Sequence, residues 1–466
     1  MHSEKYLFLH IKIHYNMQID REMQVFLMNW KVSRVRKPLI LRGARQVGKT
    51  TVVRQLGKSY SNYLEFNLEK AEDKRLFEKI EDISNTISLL FIAKGMKYTK
   101  NKESLIFIDE VQELPDVIKS LRYFYEEFPD LHVIVSGSLL DFALENIEKT
   151  PVGRVLYAEM TPINFREYLK AIGKQNLVDL IENPPLNEAI VKLILPYFRT
   201  FTMLGGMPEI VKNHIAGVDL SALSMIFNGL VEAYKNDIEK YSESKYESQI
   251  LNHIIESAPF TIDQRINFSK FGNSSYTTKE VGKAFSKLEK ARLIHLNYPS
   301  TATNPPISLD FNKRPKLFFL DVGIINFQLG LLSELLLVDD LNDAYRGRVL
   351  PQIIMQEIVS SQIQHTKKIS FWVREERGTS SEVDIVIQFK DKIIPIEVKS
   401  GASGSLKSLH EFMDRCEHTH AIRMYAGPMT IDTIKTTKGK SYTLLNLPYF
   451  LGRWIDTYID WFIRNY

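Results

Sequence analysis

The 466-residue sequence carries a single cysteine, Cys416. One thiol forms no internal disulfide and builds no cysteine-rich zinc site. Such sparing use suits a reducing compartment, so a cytoplasmic location is expected. Long apolar runs are missing as well, and none reaches the roughly 20 residues of a membrane helix. The N-terminal run Tyr6-Leu7-Phe8-Leu9 is soon broken by His10, Lys12 and His14, with no small-residue cleavage site behind it, and it does not read as a signal peptide. Met17 is an alternative start. A dominant charge is lacking too: 60 Lys and Arg against 56 Asp and Glu give a net charge of +4. Any nucleic-acid contact must therefore come from a local patch and not from an overall basic field. What remains is ordinary, with 44% hydrophobic and 25% charged residues, in a chain long enough for several domains with buried cores.

Against this background one stretch stands out. Gly43-Ala44-Arg45-Gln46-Val47-Gly48-Lys49-Thr50 reads G-x-x-x-x-G-K-T, the pattern of a nucleotide phosphate-binding loop. The apolar run Leu39-Ile40-Leu41 precedes it and a helix-compatible run starting at Thr51 follows. Strand, loop and helix are the setting the chemistry needs. Glycines let successive N–H groups turn inward around an anion, and the helix start aims its positive end at the same place. Lys49 is expected to reach the β- and γ-phosphates of ATP, and the Thr50 hydroxyl to ligate Mg²⁺.

Strands and helices then alternate. Tyr63–Asn67, Leu105–Ile108 and His132–Val135 read as strands, with helical stretches at about 72–94 and 115–128; this alternation predicts a doubly wound α/β domain with a parallel sheet. A short amphipathic helix over 21–32 comes first, with Met23, Phe26, Leu27 and Trp30 on one side. Asp109-Glu110 ends the most apolar strand. Ligands bind at the carboxyl ends of parallel strands, so Asp109 is a candidate Mg²⁺ ligand and Glu110 a candidate for orienting or deprotonating the attacking water. Ser136, after the third strand, reads either as a γ-phosphate sensor or as a helix cap. Arg154 reads either as an arginine finger, which between subunits would require a homo-oligomer, or as a surface ion pair.

The middle of the chain carries less chemistry. Residues 174–240 are helical, with breaks at Pro184-Pro185 and Gly205-Gly206. Residues 246–299 have the pattern of a winged helix: Ile250, Ile254 and Ile255 on a first helix, a second around Ile266 and Phe268, a third over 277–291, then a wing strand at Arg292–Leu296. On the third helix Lys279, Lys283, Lys287 and Lys290 lie opposite Val281, Phe285 and Leu288. That face suits phosphate contacts with DNA or is a solvated surface.

Near the C-terminus, Glu382–Ile387 and Ile394–Lys399 read as paired strands around the turn Lys390-Asp391-Lys392. Residues two apart share a strand face, so Glu397 and Lys399 point together and Asp384 can join them. Two carboxylates and a lysine suit metal-assisted chemistry at a phosphodiester, or simply an amphipathic hairpin with alternating charge. The last residues, with Phe450, Trp454, Tyr458, Trp461 and Phe462, form an aromatic helical stripe expected to pack in a core.

Taken in order, these stretches resemble a group of prokaryotic AAA-type ATPases that end in a domain of unknown function similar to the PD-(D/E)XK restriction-endonuclease fold. The resemblance is carried by Leu39–Thr50, Phe107–Gln112, Ser136-Gly137-Ser138, Gly153-Arg154, Gly205–Glu209, Lys316–Gly323, Glu382-Val383-Asp384 and Ile396–Gly401. It implies an extra strand between the two ATPase motifs, a winged-helix-like segment and a nuclease-like terminal domain with Asp384, Glu397 and Lys399 as its constellation. The resulting division is a tail at 1–20, a P-loop ATPase core at 21–173, a helical connector at 174–240, a winged-helix-like segment at 241–325 and a restriction-endonuclease-like α/β domain at 326–466. The nucleotide site would comprise Gly43 to Thr51 with Asp109 and Ser136, and the catalytic group Lys49, Glu110 and Arg154. One departure weighs against cleavage. Where the family has a helix glutamate after Arg346-Gly347, this chain has Pro351 and Gln352, with Glu357 further on. Three outputs stay open: an ATP-hydrolysing switch, an ATP-regulated Mg²⁺-dependent nuclease, and a non-catalytic module that holds DNA or protein under ATP control.

Overall fold

Short strands of apolar residues build the first of two compact units, Asp20–Pro162 with Lys290–Leu293. The structure, a computed structural model, describes residues 18–78, 82–100, 102–145, 153–240, 242–332, 349–364, 368–376, 379–399 and 405–466. Met17, Arg346-Gly347 and Ser400-Gly401 lie outside them. In this unit β1 (Leu39–Arg42), β2 (Asn62–Asn67), β3 (Ser104–Asp109), β4 (His132–Ser136) and β5 (Leu156–Glu159) form a sheet in the order β2-β3-β4-β1-β5. Every pairing is parallel. β3 and β4 are buried at every position, which is why they read as unbroken apolar runs: helices cover both faces of a parallel sheet. β4 is inserted between β1 and β3, so the strand carrying Ser136 separates the phosphate loop from Asp109. The four-residue edge strand β5 has no counterpart in the sequence reading, and the charged stretch at 72–94 is two helices, Ala71–Arg75 and Ile83–Ala93. The second starts where Asp82 accepts from the Ser84 and Asn85 N–H groups, as an N-cap aspartate does.

The second unit comprises Ile163–Glu289 and Ile294–Tyr466. The chain passes into it after Pro162, ahead of the expected boundary at 173. Helix Phe165–Ala171 comes first, and helices Gln175–Ile181, Glu188–Leu204, Pro208–Ile215 and Leu220–Lys240 fill the predicted helical stretch. The Gly205-Gly206 break is an interlock. Gly205 has φ +70°, and a Cβ there would lie 2.1 Å from Asp321 Oδ1. The Gly206 N–H donates to Asp321 Oδ2 over 2.6 Å, and a Cβ on Gly323 would meet the Leu204 carbonyl oxygen at 2.0 Å. Only glycine allows backbones this close.

Helices Lys245–Ser257 and Thr278–Lys290 match the first and third helices of the predicted winged segment, and β6 (Ile294–Asn297) pairs antiparallel with β8 (Lys316–Phe319). The expected helix around Ile266 and Phe268 does not form. The Asp263 and Ile266 N–H groups donate to the Leu317 and Pro315 carbonyls at 3.1 and 2.9 Å, so this stretch lies along β8 and its N–H groups are unavailable to a helix. The lysine face is also changed: Lys283 Nζ meets Glu243 at 2.8 Å and Lys287 Nζ meets Glu247 at 2.7 Å.

β7 (Pro299–Ser300), β9 (Ile369–Glu376), β10 (Thr379–Phe389), β11 (Lys392–Val398), β12 (His420–Tyr425), β13 (Thr430–Lys435) and β14 (Ser441–Pro448) form a mixed sheet in the order β13-β14-β12-β11-β10-β9-β7. The predicted hairpin is β10–β11, antiparallel with Phe389 opposite Lys392. Of the aromatic stripe, Phe450, Trp454, Tyr458 and Phe462 are buried. Phe165 meets Phe450 and Trp454 at ring distances of 6.3 and 6.4 Å, and the Tyr458 hydroxyl donates to the Ile181 carbonyl over 2.9 Å.

Candidate functional site

The phosphate loop is held from both ends. Gly43 leaves β1 with φ +144°, and a Cβ there would lie 2.4 Å from the Met160 carbonyl oxygen. Gly48, with φ +102°, is the N-cap of helix Lys49–Gly57. Ala44 and Val47 are buried, which pins the loop by its apolar side chains. Arg21 adds a clamp that the sequence does not announce: its guanidinium donates to the Val47 carbonyl at 2.8 Å and to the Thr161 carbonyl at 2.6 Å. Lys49 lies over the loop, its ammonium donating to the Gly43 and Ala44 carbonyls at 2.9 and 2.8 Å. Gln46 and Thr51 are exposed and Arg45 half-buried.

The ends of β3 and β4 and the first turn of helix Lys49–Gly57 meet at Asp109. Its Oδ2 accepts from the Thr50 hydroxyl over 2.6 Å. Its Oδ1 accepts from the Glu110 N–H at 3.1 Å and from the Ser136 hydroxyl. Ser136, fully buried, is therefore tied to the acid in this arrangement. Thr50 and Asp109 offer hard oxygen donors at one point, the donor chemistry Mg²⁺ takes when the rest of its shell is water and phosphate.

Glu110 follows in a left-handed backbone conformation, φ +54°, and heads the turn Val111–Glu113. Burial pushes its carboxyl above the usual range, with the neighbouring Asp109 charge adding to the shift and a hydrogen bond from Gln112 opposing it. Gln112 Nε2 donates to Glu110 Oε2 over 2.6 Å. Sequence reasoning gave Gln112 no role, because only the fold shows what its amide reaches. Arg154 lies at the surface, its Nε 2.8 Å from Glu126 Oε1. Arg154 and Arg122 hold that carboxyl below its ordinary range.

In the second unit Asp384, Glu397 and Lys399 do come together, with an addition. Asp384 Oδ2 accepts from the Val398 N–H over 2.8 Å, and Lys399 Nζ lies 2.6 Å from Glu397 Oε1. Glu397 is buried, and its Oε2 has no hydrogen-bond partner. Burial and the Asp384 charge raise its carboxyl well above the usual range despite Lys399. The addition is Lys316 on β8, its side chain 3% exposed and its ammonium 2.9 Å from Asp263 Oδ1, 2.9 Å from Glu382 Oε1 and 3.6 Å from Asp384 Oδ1. Arg265 extends the network to Glu382 at 2.8 Å. Burial lifts Asp263 to about 6, Lys316 working against it. Glu357 stays apart: fully buried, it accepts from the Phe165 N–H at 3.1 and 3.2 Å. Gln352 binds the Phe319 N–H and carbonyl.

Residues 35–169 match the profile of a AAA domain. Residues 195–335 and 346–449 match two domains of unknown function, DUF8612 and DUF4143. An uncharacterized protein of Methanocaldococcus jannaschii is 24% identical over 382 residues, 80% of this chain and 76% of its own length. Among solved structures, a Walker-type ATPase of Pyrococcus abyssi overlaps 67% of this chain and 96% of its own at 14% identity, with a TM-score of 0.45. The Aeropyrum pernix ORC1 protein in complex with DNA overlaps 67% and 91% at 12% identity, with a TM-score of 0.28. Superpositions this loose say nothing of substrate or partner. The phosphate loop, the parallel sheet and the profile match agree on one conclusion: the N-terminal part of this chain is a AAA-type P-loop domain.

Proposed function

We propose that the chain is an ATP-hydrolysing switch. The reading rests on the 2.6 Å approach of the Thr50 hydroxyl to Asp109 Oδ2 beside the loop Gly43–Thr51. Loop N–H groups and Lys49 bind the phosphates of ATP, and Thr50 and Asp109 hold Mg²⁺. Bound Mg²⁺ neutralises charge on the phosphates. Glu110 takes a proton from, or orients, the attacking water. Ser136 links Asp109 to the end of β4, where a γ-phosphate can be sensed, and Arg154 is a candidate finger toward a neighbouring copy. The test compares nucleotide binding and turnover in the unaltered chain and in Glu110→Gln. The variant should bind ATP with Mg²⁺ while turnover falls by about 10²–10⁴-fold. Unchanged turnover removes Glu110 from the role.

For the C-terminal unit, a restriction-endonuclease-like domain that binds without cutting is the favoured reading. Asp384 and Glu397 each have a lysine beside them, and Glu357 is engaged elsewhere. The orphaned Glu397 Oε2 favours the alternative, an ATP-regulated Mg²⁺-dependent nuclease. Mg²⁺-dependent cleavage of DNA or RNA that disappears in Lys399→Ala selects the nuclease; intact substrates with and without ATP select binding. A DNA-holding role for helix Thr278–Lys290 is tested by neutralising Lys279, Lys283 and Lys287, which should weaken salt-sensitive binding.

A further inference from the structure

We propose that Gln112 is the positioning residue of the hydrolytic centre, coupling the turn after β4 to the orientation of Glu110. The inference rests on the assignment of hydrolysis to Glu110 and deepens it.

Three observations carry it. First, Gln112 Nε2 donates to Glu110 Oε2 over 2.6 Å. The turn that brings them together is closed by the Glu113 N–H donating to the Glu110 carbonyl at 3.0 Å. The carboxylate accepts only, so the Gln112 amide group must face it and Oε1 must point away. Second, that Oε1 is buried without a hydrogen-bond partner. An orphaned buried acceptor is costly, and in a native structure it calls for an explanation, a functional geometry among them. Third, a Cβ on Gly137 would lie 2.2 Å from Gln112 Oε1. Gly137 is absent from the glycines with positive φ, so its backbone does not require glycine. A side chain there would instead have to push the Gln112 amide end from its place.

The end of β4 and the turn after it therefore reach Asp109 directly and Glu110 by way of Gln112. Ser136 reaches Asp109 by its hydroxyl, and Gly137 bears on Gln112, which holds Glu110. A shift of this turn moves Gln112 and with it the Glu110 carboxylate. Ser136 and Glu110 stop being independent parts, and occupation of the phosphate site becomes linked to readiness for water attack.

The experiment is a double-mutant cycle with Gly137→Ala, Gln112→Ala and the pair, read by nucleotide-free thermal unfolding and by ATP turnover. Gln112→Met, which keeps the bulk and removes the amide, guards against a folding defect. Gln112→Met and Gly137→Ala should each lower kcat by about 10–100-fold while KM for ATP stays within about threefold. In the Gln112→Ala background, Gly137→Ala should cause no further loss of kcat and no further loss of Tm, because the colliding oxygen is gone. Additive losses in both readouts, or unchanged kcat in Gln112→Met, overturn the proposal. Absence of turnover in the unaltered chain refutes the ATPase reading itself and takes this inference with it. Turnover that survives Gln112→Met refutes only the inference.

Discussion

The Thr50 hydroxyl donates to Asp109 Oδ2 across 2.6 Å, although the two residues are 59 positions apart in sequence. The first lies in the opening turn of helix Lys49–Gly57 and the second closes β3, so the contact joins the phosphate loop to the acidic strand end. Disturbing either end should separate nucleotide binding from folding.

Lys49→Ala removes the ammonium that lies on the Gly43 and Ala44 carbonyls. ATP affinity should fall by about 100-fold or more, in keeping with the loss of a charge-assisted contact of about 3 kcal/mol. Titration with a fluorescent ATP analogue reads it, with Tm unchanged as the control. Equal affinity would remove Lys49 from the phosphate site.

Lys316 and Lys283 each face more than one carboxylate, but only Lys316 is buried. Lys316→Met should destabilise the second unit by about 3 kcal/mol, the result of removing the buried cation shared by half-buried Asp263, Glu382 and Asp384. Lys283→Met should cost under about 1 kcal/mol. Urea unfolding monitored through the second unit distinguishes them, and equal costs contradict the assignment of Lys316 as the hub.

Gly205 and Gly217 both have positive φ, yet only Gly205 has atoms within contact distance of a Cβ. Gly217→Ala should cost about 1 kcal/mol from backbone strain alone. Gly205→Ala should cost about 3 kcal/mol or more, since it also drives into Asp321. Thermal unfolding of the two variants is the check.

His132 is buried with its Nδ1 2.5 Å from the Tyr60 hydroxyl. Burial, then the charges of Arg36 and Lys31, hold its pKa down to about 3. The unfolded chain takes up this proton below about 6.5. Stability from the neutral ring is thus complete above about 6.5 and is lost as pH falls toward 3, by up to about 1.4 kcal/mol per pH unit. His132→Phe should flatten that part of the stability–pH curve of the first unit. An unchanged slope places the titration elsewhere.

The legible parts of this chain are those whose chemistry is contiguous. Gly43 to Thr50 and Asp109-Glu110 announce themselves because fixed neighbours do the work. The Asp384–Glu397–Lys399 hairpin was legible from strand periodicity. Arg21, Gln112 and Lys316 were not, because each acts on a group brought near only by the fold: Arg21 on the Val47 carbonyl, Gln112 across to Gly137, Lys316 on Asp384. The helix expected around Ile266 failed because β8 supplied carbonyls to its N–H groups. The lysine face of helix Thr278–Lys290 looked open because Glu243 and Glu247, its partners, lie 40 residues earlier.

A crystal structure of the chain with a non-hydrolysable ATP analogue and Mg²⁺ tests the central claim most directly. The account predicts the triphosphate inside the loop Gly43–Thr51, Lys49 turned from the loop carbonyls onto the phosphates, and the metal bound by Thr50 with Asp109 directly or through one water. A loop without nucleotide at saturating analogue, or a metal bound away from Thr50 and Asp109, would contradict it.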